Sequence, residues 1–220
     1  MFMRLLCVAS LSILLSGIAS STVRADVALI SESGGFLGGH NPDQTLGWLF
    51  HLNTELTLNR LGVEDSGQDG FVNAHDVGLW TASGTLLASA TLPAGTSGSL
   101  LGNFRYADVP SMVLPVGDYV IGAYYPTTAD DFIQDVPLFV THPYVEYIGR
   151  AGTGPGFVFP TIIPGNGNGN WFSSNFQFNL VPEPSSLALL GMSGLAMLGC
   201  VIRRRRRGNQ SLICREGSCK

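Results

Sequence analysis

Along most of the chain, apolar and β-branched residues come in runs about five to eight long. Glycine, proline, asparagine, aspartate and serine break them. The pattern predicts strands at Val27–Ile30, Thr45–Leu52, Leu56–Val63, Val77–Thr81, Leu86–Leu92, Asp118–Tyr125, Tyr144–Ile148 and Phe176–Val181. Phe176, Phe178 and Leu180 fall on one face with Gln177 and Asn179 on the other, as in a half-buried strand. In Leu56, Leu58, Leu61 and Val63 the parity slips by one, which predicts a bulge near Asn59 or Arg60. Ser83-Gly84 suits a tight hairpin. Between residues 26 and 181 no segment keeps helical periodicity for three turns. The expected fold is therefore all-β, an antiparallel jelly-roll-like β-sandwich. Ser33 to Gly39 and Gly165 to Asn170 are too rich in glycine to order easily and read as loops.

The two ends follow a different pattern. Arg4, an apolar run from Leu5 to Ile18, and Val23-Arg24-Ala25 have the layout of a secretory signal peptide over residues 1–25. Near the other end, Leu187 to Ile202 carries no charge, and Arg203, Arg204, Arg205, Arg206 and Arg207 follow directly. As a helix the run rises about 24 Å, slightly short of a hydrocarbon core of about 30 Å. Ser185, Ser186 and snorkelling arginines can make up the deficit. The arginines place their end in the cytoplasm. The expected division is a signal peptide at 1–25, the sandwich at 26–181, a membrane-directed segment with one transmembrane helix at 182–207, and a cytoplasmic tail at 208–220.

Composition narrows the functions open to the sandwich. Between Asp26 and Val181 there are three bases (Arg60, Arg105 and Arg150) against fourteen acids. Such a surface repels nucleic acid, favours solubility and can attract divalent cations. All four cysteines lie outside this region, so neither a disulfide nor a thiol nucleophile is available in it. His40, His51, His75 and His142 have no metal-ligand spacing. No nucleophile elbow and no phosphate-cradling glycine loop occurs there. The expectation is a non-catalytic protein.

Two local features carry candidate chemistry. Asp65, Asp69, Asn73 and Asp76 occupy positions 1, 5, 9 and 12 of an EF-hand-like loop, with Gly70 at the sharp turn. Oxygens at this spacing can surround calcium. The competing reading is an acidic hairpin loop, because position 3 is Gly67 and both flanks read as strands. Trp48 and Trp80 sit inside apolar runs and read as core. Trp171 follows a polar loop and is a candidate for stacking on a sugar.

The segment Pro182-Glu183-Pro184, then the apolar run, then Arg203 to Arg207 resembles the PEP-CTERM sorting signal of bacterial surface proteins. The resemblance implies export through the inner membrane as a membrane-anchored precursor. It also implies processing near Pro-Glu-Pro by an exosortase and a final place at the cell surface, in the extracellular matrix or in a biofilm. The alternative is a plain anchor that stays uncleaved. Where that family usually ends soon after the arginines, this chain continues from Gly208 to Lys220. A second resemblance covers Leu46 to Tyr125. Leu46-Gly47-Trp48, His75-Asp76-Val77-Gly78-Leu79-Trp80 and Gly117-Asp118-Tyr119-Val120-Ile121-Gly122-Ala123 look like the DUF4082 type of β-sandwich module. Two rivals to a purely structural role remain. One is a carbohydrate-binding module with extracellular polysaccharide as partner and a structural calcium. The other is an exopolysaccharide hydrolase.

Overall fold

The structure, a computed structural model, describes residues 25–130, 132–162 and 169–181. The expected signal peptide, the Pro-Glu-Pro segment, the apolar run and the five arginines lie outside the described residues. Among the described residues no helix is long and apolar enough to cross a membrane.

The described chain is all-β, with antiparallel pairing throughout. The strands are β1 (Asp26–Val27), β2 (Leu29–Ser33), β3 (Phe36–Gly38), β4 (Gln44–Leu52), β5 (Leu56–Glu64), β6 (His75–Thr81), β7 (Leu86–Leu92) and β8 (Ser99–Leu101). They continue with β9 (Phe104–Leu114), β10 (Gly117–Tyr125), β11 (Phe132–Gln134), β12 (Leu138–Thr141), β13 (Val145–Thr153), β14 (Thr161–Ile162) and β15 (Ser174–Leu180). One sheet has the order β1-β15-β5-β9-β8, and the other β14-β13-β4-β10-β6-β7. Two small ladders, β11-β3 and β12-β2, stand apart from both. The long strands nest: β6 pairs with β7, β5 with β9, β4 with β10, and β1 with β15.

The inner faces of the two main sheets share one hydrophobic core. Trp48, Phe50 and Leu52 of β4, Ile121 of β10 and Leu79 of β6 are buried in the same cluster as Leu58, Leu61, Val63, Phe176 and Phe178. Trp48 also donates from Nε1 to the Ser174 carbonyl of the facing sheet at 2.8 Å, so its one polar atom is satisfied.

The anticipated bulge is present. Adjacent residues Gln177 and Phe178 of β15 pair with Arg60 and Leu58, so Asn59 is the extra residue in that ladder. That shift restores Leu61 and Val63 to the core face. The Ser83-Gly84 hairpin also forms: Gly84 has φ +92°, and Thr81 N donates to Thr85 O at 2.9 Å.

The longest strand, β9, is one the hydrophobic pattern did not suggest. Arg105, Asp108 and Pro110 interrupt its apolar run. Pro110 is tolerated because it lies where the β5 ladder is broken opposite Asn59 and beyond the three residues that pair with β8. The glycine-rich stretch 33–39 is a second correction: Phe36–Gly38 is not loop but a short strand paired with β11.

Both main sheets are covered on their outer faces. Over the six-stranded sheet, Gly47, Gly122 and Gly78 stand in one cross-strand row. A Cβ on Gly78 would sit 2.5 Å from Trp80, and one on Gly122 would sit 2.9 Å from Pro160. The row is a trough in which Trp80, Phe157 and Pro160 lie, so Trp80 is buried on this outer face and packs beside Phe157 and Phe159. Over the five-stranded sheet lie β2 and β12. Asn175 holds β2 there, accepting from Leu29 N and donating to Leu29 O, both at 3.0 Å.

Candidate functional site

The acidic loop after β5 is built around an internal cation. Asp65 and Arg105 form a buried ion pair, Nε to Oδ2, at 2.5 Å. Arg105 reaches this point because it faces Val63 across the β5–β9 ladder, two residues before Asp65. Its other nitrogens donate to Thr96 O at 2.8 Å and Gln68 O at 3.1 Å. The Gly70 N–H points at both Asp65 oxygens at 3.2 and 3.3 Å.

The other three candidate ligands go elsewhere. Asp69 is exposed. Asn73 is held by Asp130 and Thr127: its Nδ2 donates to Thr127 Oγ1 at 2.7 Å, and its backbone N–H donates to Asp130 Oδ2 at 2.9 Å. Asp76 lies on β6 and accepts from Thr91 Oγ1. Asp65, Asp69, Asn73 and Asp76 therefore do not converge on one point. Among the described residues no three His, Cys, Asp or Glu side chains are grouped to hold a metal ion.

Asp130 organises the far side of this loop. It accepts from Val72 N at 2.6 Å as well as from Asn73. His75, fully buried, donates from Nδ1 to Tyr124 O at 2.9 Å and places Nε2 3.1 Å from Asp130 Oδ2. Burial raises the Asp130 carboxyl, but the two backbone N–H bonds and His75 outweigh it and bring it below the usual range.

Trp171 lines an open cleft of about 310 Å³, together with His40, Gln44, Phe132, Gln134 and Thr153. Gln134 is held by a 3.0 Å bond from Nε2 to Gly38 O. The Arg150 guanidinium carbon lies 4.7 Å from the Trp171 ring centroid and covers one face by a cation–π contact. An aromatic ring beside amide and hydroxyl groups can take a sugar ring, with polar edges to orient it. Among the described residues no carboxylate lines this cleft.

The carboxylates that the fold does bring together are Glu32 and Glu64, beneath the β2–β12 cover. Burial pushes the Glu32 carboxyl up to about 7, against the opposing pull of the Asn103 amide beside it. Burial and then the Glu32 charge push Glu64 well above the usual carboxylate range, and a 2.9 Å bond from Ile133 N only partly opposes this. None of Arg105, Glu32 and Glu64 stood out in the sequence. The one available sign was Arg105, a lone base between Phe104 and Tyr106 in a domain with three bases.

The chain thus carries an all-β domain whose last strand ends at Leu180. Residues 180–207 match the family model described as the PEP-CTERM protein-sorting motif. That motif implies export, a membrane-anchored precursor processed by an exosortase at the membrane, and sorting to the surface. Pro182, Glu183, Pro184 and Arg203 to Arg207 all fall inside the matched stretch. No curated protein matches the chain.

Proposed function

We propose that this chain is a surface-sorted, non-catalytic component of the bacterial envelope or extracellular matrix, released or transferred by cleavage near Pro-Glu-Pro. One observation carries the reading: β15 ends at Leu180, and the sorting motif begins at residue 180. A cut near Pro184 therefore leaves the β15 ladders to β1 and β5 whole, and the sandwich survives processing. The nested strand pairs support assigning the sandwich to the jelly-roll class. Intact-mass spectrometry of the protein from native cells, membrane and medium separately, tests the reading. A mass ending near Pro184 supports it. A mass running through Lys220 in the membrane fraction alone refutes it and leaves a tethered protein.

The Trp171 cleft favours a second reading, in which the same domain binds polysaccharide. The part of the indole that lines the cleft would contact a sugar ring, with Gln44 and Gln134 beside it. Loss of glycan-array binding in Trp171→Ala, with partial retention in Trp171→Phe, supports this reading. Binding to no glycan refutes it and leaves the structural role alone.

A further inference from the structure

Four buried oxygens on the outer face of the five-stranded sheet have no hydrogen-bond partner. They are Glu64 Oε1, Tyr106 Oη and Glu32 Oε1 and Oε2, the last two with only the Asn103 amide beside them. Buried polar atoms are satisfied in the large majority of cases, and a cluster of orphans needs a cause. The register shows how they come together. Glu64 faces Phe104, and Gly62 faces Tyr106, across the β5–β9 ladder, so Glu64 and Tyr106 are diagonal neighbours on one face. Gly62 has no side chain because the Tyr106 ring lies on it: a Cβ there would be 2.6 Å from Tyr106 Cε1. Glu32 arrives from β2 above, where its charge acts on both Glu64 and Tyr106.

The charge balance is as unusual as the hydrogen bonding. The titratable groups acting on this point are Glu32, Glu64, Tyr106 and the nearby Asp65. Arg105 is committed to Asp65, so the two glutamates have no positive partner. Two clefts give access. One of about 150 Å³, between β2 and residues 102–104, reaches Glu32. The other, of about 200 Å³ along the 64–72 loop, reaches Glu64.

We propose that Glu32 and Glu64 are ligands of a buried divalent cation of the calcium type, which fastens β2 to the outer face of the five-stranded sheet. Two carboxylates match the charge of a divalent ion and offer three oxygens, since Glu64 Oε2 accepts from Ile133 N. Water, one molecule held by the Tyr106 hydroxyl, completes the six to eight that calcium takes. The site is distinct from the 65–76 loop, and the proposal does not depend on sorting or glycan binding.

The test uses the full-length protein in detergent micelles, stripped of metal by a chelator. Terbium emission sensitised by nearby tyrosine and tryptophan reports binding, and calcium is the competitor. Expected are one equivalent bound, displacement by calcium, and a melting temperature about 5–10 °C higher at roughly 100-fold saturation. Glu32→Gln/Glu64→Gln, which keeps side-chain size, lowers affinity at least ~30-fold, and its circular dichroism spectrum and melt verify folding. Asp69→Asn binds as the parent does. Absence of calcium-displaceable emission in the parent overturns the proposal, and so does unchanged affinity in the double variant. Loss of binding in Asp69→Asn alone would place the ion in the loop and also overturn it.

Discussion

Replacing Arg105 should test what holds the acidic loop in place. Its side chain and that of Asp65 are 5% and 3% exposed, so neither charge is solvated. Arg105→Met keeps much of the volume but leaves the Asp65 carboxylate buried without a counter-charge. It also removes the donors to Thr96 O and Gln68 O. Stripping one partner from a buried pair costs about 3–5 kcal/mol, against a total stability of about 5–15 kcal/mol for a domain. The measurement is urea unfolding followed by tryptophan fluorescence, on the parent, Arg105→Met, Asp65→Asn and the double variant. The double variant removes both charges and should lose less than the sum of the singles, with a coupling of about 2 kcal/mol or more. A loss below ~1 kcal/mol in Arg105→Met, or additive single effects, would show that the loop does not depend on this pair.

Two further expectations concern the covered outer face. Gly62→Ala forces a Cβ to within 2.6 Å of the Tyr106 ring and 3.1 Å of Arg105 O, and should cost about 1–3 kcal/mol by overpacking; denaturation of the purified variant measures it. Stability of the metal-free protein should also vary with pH through Glu32. Its carboxyl is raised in the folded state, from 4.5 to about 7, so the native form holds the proton more tightly than the unfolded chain. That contribution is complete below about pH 4.5 and is lost as pH rises through about 7. Melting temperature measured across this window should fall with rising pH and flatten in Glu32→Gln; an identical slope in the variant would rule out Glu32 as the source.

Much of the sandwich is legible in single strands, because strand identity is largely local. The apolar runs of β4, β5, β10 and β15, the parity slip that places the bulge at Asn59, and the Ser83-Gly84 turn each depend on neighbours within a few residues. So does the sorting motif at 180–207, a linear address with its parts in order. Strand β9 was hidden because Pro110 is harmful in an ordinary ladder and harmless where residues 109–111 stand unpaired opposite Asn59, and that break exists only once β9 pairs with β5.

Tertiary structure decided which charges meet. Asp65 and Asp69 have the spacing of calcium ligands, but spacing does not show where an oxygen points. Arg105, forty residues away, arrives through β9 and takes the place at Asp65 that an ion would need. Glu32 and Glu64 look like ordinary surface acids until β2 folds across the sheet and shuts out water. Hydrophobic periodicity is written along the chain. Electrostatic partnership is settled between segments, by register and burial, and only the folded domain contains it.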